Sequence, residues 1–323
     1  MAILATEKVL TNDYWKMAED LRVGDILFDR LGKPVTVKLV QKYRALRCFE
    51  VQFNDKLTVA GDEHLKLPLE NEKYRKRVDQ YKGKRQFKRP LSPTPLGKLI
   101  DTPLIRRENR KEYSVPTAGP LQLAHQDLPV HPFVFGFWFF NRRHDGAMIS
   151  PTGFEGFLET KLKECGYVPT KKHRFTTKPT VLSHLAPNVP YKIPNNYLLA
   201  AKDQRQELLS GILHSKPRQY NARLNTFRVS NKSKLFTSQV QCLAESLGCK
   251  TQMLYDETKR YYTVFIKTKL PLLYGQTPKP IKVRQEWRLV SDVYEIDPQS
   301  CIHIETDGPD NSYLVGEGFI PCL

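Results

Sequence analysis

The feature that most limits the fold is an alternation of apolar and polar residues confined to the two ends of the chain. Between Ala2 and Pro68 the segments "VGDILFD", "KPVTVKLVQKY", "RCFEVQF" and "KLTVAG" alternate with period two, separated by turn signals such as "RLGK" and "FNDK". From about Glu286 the same character returns in "WRLVSDVYEI", "SCIHIETD" and "SYLVGEGFIP". Short strands cannot cover their own apolar faces, so the last set is expected to complete the first, with both termini in one β unit. The middle has helical spacing instead. "HPFVFGFWFFNRR" is a densely apolar helix start, and "GFEGFLETKLKECGYVP" is a second helix with a glycine stop. The plan then repeats: "DQRQELLSGILHSKP" is a helix, "NTFRVS" a strand, "KLFTSQVQCLAESLGC" a helix ending at Gly248, and "YYTVFIKT" a strand. The predicted class is α+β. A β domain from residues 1–72 and 285–323 is interrupted by an α/β domain over 119–284, with a basic excursion over 73–118 between them.

At 323 residues and 40% hydrophobic content the chain has material for two cores. It holds no apolar run near the roughly 20 residues that cross a bilayer and no export signal, so a cytoplasmic, non-secreted, membrane-free protein is expected. The six cysteines are scattered without CxxC or Cys/His spacing, which predicts reduced thiols and no structural metal. The strongest compositional fact is 51 Lys and Arg against 34 Asp and Glu, a formal charge of +17. Each cation that displaces a counterion adds affinity for a polyanion, so nucleic acid is the expected partner. The cations cluster in "EKYRKRVDQYKGKRQFKRPLSP", where Lys73, Arg75, Lys76, Arg77, Lys82, Lys84, Arg85, Lys88 and Arg89 are interleaved with aromatic residues. The charges suit phosphates and the rings suit stacking on bases. A solvated linker is the alternative reading of that stretch.

Read in order, "WKMAEDLRVGDILFDRLGKPVTV", "CFEVQF…LTVAGDEHL", "YSVPTAGPLQL…LPVHPFVFGFW", "IPNNYLLAAKDQRQELLSGIL" and "CIHIETDGPDNSYLVGEGFIP" resemble an intein. The type is a self-splicing Hint domain carrying a LAGLIDADG-type homing endonuclease, as inserted in phage terminases and replicative helicases, and the match runs nearly the full length. The resemblance implies a horseshoe-shaped all-β domain formed by both termini, interrupted by a pseudo-two-fold αββαββα domain. Its two signature helices would meet at Gly136 and Gly211, where glycine permits close approach. Each helix of that family ends in an acid that holds Mg²⁺ beside a scissile phosphate.

Those acids are missing here. Alignment on Gly136 puts Asn141 in the first acidic slot and Arg142 where a glycine follows it. Alignment on Gly211 puts His214, Lys216 and Pro217 over the second acidic segment, with Lys216 in the metal slot. Two unit charges of like sign about 4 Å apart repel by about 4 kcal/mol at an effective dielectric near 20, and a divalent ion doubles this. Metal-dependent cleavage is therefore expected to be lost, with Mg²⁺ a cofactor only if endonuclease activity survives; Asp145 lies beyond the helix end. Arg142, Arg143, Lys216 and Arg218 instead add positive charge where DNA would lie, and Arg223 and Arg228 point to the same surface.

The splicing positions implied by the resemblance are eroded as well. Its nucleophilic first residue falls on Ala2; His64 keeps the activating position, but the residue two later, often tryptophan, is Lys66. After "EGFIP" the chain reads Cys322 and Leu323 where a His-Asn pair belongs, so asparagine cyclisation is not expected. Cys301 lies where a minority of inteins keep an alternative nucleophile; its other reading is plain core, and His303 reads as a strand histidine. Degeneration or adoption for another role explains the helix ends and the splicing positions together.

The expectation is thus a monomeric, intein-derived protein that binds double-stranded DNA, silent in splicing and in cleavage. The alternatives are an active homing endonuclease making double-strand breaks, a residual splicing or cleaving element, and a docking protein with phage protein partners.

Overall fold

The computed structural model of the chain describes residues 1–73, 92–100, 102, 104–106, 110–141, 148–149, 155–166, 169–171, 174–175, 192–215, 220–221, 226–273 and 287–323. They form two compact units. The first comprises Met1–Gln122, Gly248–Lys250 and Lys282–Leu323, and the second Leu123–Leu247 and Thr251–Ile281.

The first unit is built on an eight-stranded sheet in the order Ile26–Phe28, Pro34–Phe53, Thr58–Asp62, Ile3–Leu4, Trp287–Thr306, Tyr113–Pro116, Lys66–Asn71 and Ser92–Pro95. Pro34–Phe53 also pairs with Trp287–Thr306, so those two strands, Thr58–Asp62 and Ile3–Leu4 close into a ring, antiparallel at every step. The chain's first strand is therefore sealed between Thr58–Asp62 and Trp287–Thr306, joining the two stretches of alternating sequence. Two further strands, Ser92–Pro95 and Tyr113–Pro116, come from within residues 73–118. Inward residues of both ends share one apolar core, including Val37, Phe49, Val51, Phe53, Leu67, Val290, Ile302, Ile304 and Ile320. Within it Arg288 and Asp55, each 1% exposed at the side chain, form an ion pair at 2.8 Å.

Segments read separately in the sequence merge in two places. "KPVTVKLVQKY" and "RCFEVQF" belong to one 20-residue strand, Pro34–Phe53, in which Ala45 takes a left-handed φ of 51°. "WRLVSDVYEI" and "SCIHIETD" likewise belong to one strand, Trp287–Thr306, whose register shifts between Ile296 and Gln299 accommodate Pro298. A bulge absorbs the missing proline N–H that would otherwise break the ladder.

In the second unit the helix Pro132–Asn141 is apolar on every side. Phe133, Val134, Phe135, Phe137, Trp138 and Phe139 are all buried, which marks a central helix rather than a surface one. It packs against Lys202–His214, and the contact is between backbones. A Cβ on Gly136 would run into the carbonyl oxygen of Leu208, and one on Gly211 into that of Phe133. Only glycine allows that approach. The helix Lys202–His214 holds a fully buried Arg205, whose Nε donates to the Ala200 carbonyl at 2.8 Å and whose Nη1 donates to the Ser246 carbonyl at 2.7 Å. The helix Lys234–Ser246 is capped by Ser233, whose Oγ accepts from the Phe236 N–H at 3.2 Å. This helix and Lys202–His214 pack on a four-stranded antiparallel sheet in the order Tyr220–Asn221, Thr226–Asn231, Tyr261–Lys267 and Lys250–Asp256. The unit also contains the helix Glu155–Glu164 and a three-stranded sheet in the order Met148–Ile149, Arg174–Phe175 and Pro169–Lys171. No helix among the described residues is long and apolar enough to cross a membrane.

Candidate functional site

The two-residue strand Ile3–Leu4 pairs with Ile302 and Cys301 on one side and with Gly61 on the other. That register brings the peptide bond between Met1 and Ala2 up to polar groups on the two flanking strands. The Ala2 N–H donates to Asp62 Oδ1 at 2.8 Å, and the Asp62 N–H donates to the Ala2 carbonyl at 2.9 Å. The Met1 carbonyl accepts from His303 Nδ1 at 2.6 Å, while His303 Nε2 lies 3.1 Å from Glu305 Oε1. The Met1 amino group sits 3.6 Å from Asp62 Oδ2. Both ends of one amide are thus held, the oxygen by an imidazole and the N–H by a carboxylate. Gly61 is required at this spot, since a Cβ there would meet the Ala2 carbonyl.

Cys301 is fully buried in a small cluster with Ala2, Leu4, Cys48 and Ala60, its Sγ 3.4 Å from that of Cys48. Burial first, then the neighbouring Cys48, pushes its thiol well above the ordinary range, so the thiolate is suppressed. Glu7 lies close by, its Oε1 accepting from the Ala60 N–H at 2.9 Å; burial raises its carboxyl to about 7, with a smaller contribution from Glu50.

His64 stands apart from this amide. The Leu65 N–H bonds the Asp62 carbonyl at 3.1 Å, and this tight turn carries His64 outward. Its side chain is 70% exposed, with Nε2 3.5 Å from Glu63 Oε1. The groups that reach the amide are Asp62 and His303.

No family model matches the chain. It is 24% identical, over 333 residues and 95% of its length, to the replicative DNA helicase DnaB of Mycobacterium intracellulare, and spans 55% of that relative. Among solved structures it is similar to the Msm DnaB1 intein splicing domain bound with zinc, at 10% identity over 99% of this chain and 98% of that one, with a TM-score of 0.33. It is also similar to the homing endonuclease I-DmoI in complex with DNA and Mn, at 11% identity over 42% of this chain and 90% of that one, with a TM-score of 0.29. The superpositions are loose, and the sequence match covers nearly the whole chain.

The positions that the sequence resemblance assigns to an endonuclease are the ends of the two glycine-bearing helices. Asn141 is the last residue of Pro132–Asn141. His214 closes the other helix as a buried residue, its Nδ1 2.8 Å from the Ser210 carbonyl and its ring 5.6 Å from that of Phe133. Burial lowers its pKa from the ordinary value. Arg142, Arg143, Asp145, Lys216, Pro217, Arg218 and Arg223 lie outside the described residues, as do Arg75, Lys76, Arg77, Lys82, Lys84, Arg85, Lys88 and Arg89. Lys73 and Arg228 are described and both are exposed. Among the described residues no three His, Cys, Asp or Glu side chains gather where a metal ion would sit. The sequence alignment assigns Asn141 and Lys216 to the two acidic slots, and an amide and an ammonium there would not suit Mg²⁺, which takes hard oxygen ligands.

Asp62 carried no signal in the sequence, because a single carboxylate on a strand has no periodicity of its own. Cys48 was equally silent, since only the closure of the ring brings it to Cys301.

Proposed function

We propose that the chain is an intein-derived nucleic-acid-binding protein in which protein splicing and DNA cleavage have both been lost. The observation that carries this reading is the backbone contact at Gly136 and Gly211, which persists while the sequence supplies Asn141 and Lys216 at the helix ends. A packed helix pair without acids can still present a binding surface, and the formal charge of +17 favours a polyanion. I-DmoI is itself described in complex with DNA, which makes DNA the natural ligand to test. The β unit is proposed as the horseshoe Hint part, over 1–72 and 285–323, and the α/β unit as a pseudo-two-fold endonuclease-like insertion over 119–284, joined through the basic stretch 73–118. Binding by a monomer inside the cytoplasm completes the proposal. A titration of the full chain against labelled DNA across a range of salt tests it. Affinity is expected to fall steeply and linearly on a log–log plot as phosphate contacts are screened, and a flat or absent response contradicts DNA binding.

One observation favours a second reading, residual cleavage of the bond between Met1 and Ala2. That amide is held by His303 and Asp62, and the Cys301 thiol lies in the cluster that contains Ala2. In this reading the thiol sulfur adds to the Met1 carbonyl carbon, the C–N bond breaks, the thiol proton passes to the departing Ala2 amine, and a thioester remains. Fusion of a reporter protein ahead of Met1, followed by a gel after hours with a thiol reductant, tests it: a released reporter supports this reading, and an intact fusion removes it.

A further inference from the structure

The first unit carries a surface cavity of about 950 Å³ whose lining includes none of the groups that hold the Met1–Ala2 amide. Its walls come from the hairpin of Lys8–Leu10 with Trp15–Met17, the short turn Ala18–Asp20, the chain that follows to Asp25, and Lys42 on the strand Pro34–Phe53. The backbone fixes that turn. The Ala18 N–H donates to the Glu7 carbonyl at 2.8 Å and the Glu19 N–H to the Ala5 carbonyl at 3.1 Å, while Ala18 and Leu21 are buried. Glu19 and Asp20 are left with exposed side chains at the cavity.

Charge sorts the lining into two sets. Lys8 is committed to Glu317 at 2.8 Å and Lys16 to Asp25 at 2.7 Å, and Asp25 Oδ2 also accepts from the Arg22 N–H at 2.9 Å. Arg22, Lys42, Glu19 and Asp20 form no ion pair among the described residues. The cavity therefore offers two cations and two carboxylates whose charges cancel, beside an apolar wall. Trp15 is half-buried against Phe319, with ring centres 5.5 Å apart, and Tyr14 and Met17 are exposed.

We propose that this cavity binds a short peptide with free termini and a large apolar side chain. Arg22 and Lys42 meet its carboxylate, Glu19 and Asp20 its ammonium group, and Trp15, Tyr14 and Met17 its side chain. A dianion such as a phosphate ester would satisfy the cations but be repelled by the two carboxylates. A purely apolar ligand would strip water from charged groups and return nothing for it. A zwitterion answers both signs with charge-assisted hydrogen bonds. Small-molecule sites run from roughly 300 to 1,000 Å³, and a cavity at the upper end suits two or three residues rather than one amino acid.

Isothermal titration calorimetry of the full chain with the tripeptide Gly-Phe-Gly, its N-acetylated and C-amidated forms, Gly-Gly-Gly and phenyl phosphate tests this. Gly-Phe-Gly is expected to bind most tightly, and masking either terminus should weaken it on the order of tenfold. The double variant Arg22→Ala/Lys42→Ala should abolish the effect of amidation and keep that of acetylation, and Glu19→Gln/Asp20→Asn should do the reverse. All four side chains are exposed, so both variants are expected to melt as the wild type does. Amidation that still weakens binding to Arg22→Ala/Lys42→Ala, phenyl phosphate binding more tightly than the tripeptide, or no heat with any ligand at 10 mM, taken as roughly ten times the weak affinity of an open site, would each overturn the proposal.

Discussion

The β unit and the α/β unit each hold two backbone segments together at a glycine, but they surround that contact in different ways. Around Ala2 the frame is Gly61 against the Ala2 carbonyl, and the neighbouring amide is satisfied by Asp62 and His303. Around the helix ends the frame is Gly136 against Gly211, and the sequence supplies Asn141 and Lys216. The first site remains able to hold a peptide bond. Under the proposed function, the second would repel a divalent cation and suit a polyanion. Close backbone approach is a requirement of the fold, so its glycines stay whatever happens to the chemistry.

The largest effect should come from the helix contact. Gly211→Ala forces a methyl group into the Phe133 carbonyl, with backbone on both sides and nothing flexible to yield. A loss of about 3 kcal/mol or more is expected from such overpacking, read as a lower urea midpoint for the second unit. An unchanged midpoint would mean that the helices are not held at this distance. Gly61→Ala is the matching probe of the first unit. It meets the Ala2 carbonyl and the Leu65 side chain, and since Leu65 can move, a smaller loss of ~1–3 kcal/mol is expected.

The two units should also respond to pH in opposite directions. Glu7 has its carboxyl raised from 4.5 to about 7 by burial. The folded state keeps a proton that the unfolded chain releases between those values, so stability is full below 4.5 and falls as pH rises through 7. Glu7→Gln keeps an acceptor for the Ala60 N–H and cannot ionise, so it should stabilise the first unit at pH 8 and flatten this dependence. A Glu7→Gln chain less stable than wild type at pH 8 would contradict the buried-carboxylate picture. In the second unit the buried His214 has its pKa lowered. The unfolded chain therefore binds a proton that the folded state refuses, and stability falls as pH drops below the ordinary histidine value of 6.5. His131 is lowered by burial in the same way and adds to that slope. Melting curves for the second unit between pH 5 and 8 check the sign.

The smallest effect concerns a single exposed cation. Under the proposed DNA binding, Arg228→Ala removes one phosphate contact. It should reduce the slope of log affinity against log salt by about one, with no change in folding.

Much of this organisation was legible because alternation and helical spacing are properties of local sequence. The paired ends and the apolar helix around Gly136 belong to that class. The two 20-residue strands were harder to read, since "RAL" around Ala45 and "DPQS" around Pro298 use residues common to turns and bulges alike. Only pairing with a distant strand decides between them. The site was less legible than the frame. His64 sits in a sequence that suits an activating role, yet the turn from Asp62 to Leu65 carries it outward. Asp62 and His303 gain their roles solely because Ile3–Leu4 threads between two other strands.

The most direct measurement is incubation of supercoiled plasmid, carrying an uninterrupted DnaB gene, with the full chain and Mg²⁺ or Mn²⁺ at a salt concentration where binding has been shown. The proposed loss of both acids predicts that the plasmid is bound and stays supercoiled. Linear or nicked plasmid would contradict that loss, because it would require a metal-holding site among residues that offer an amide and an ammonium.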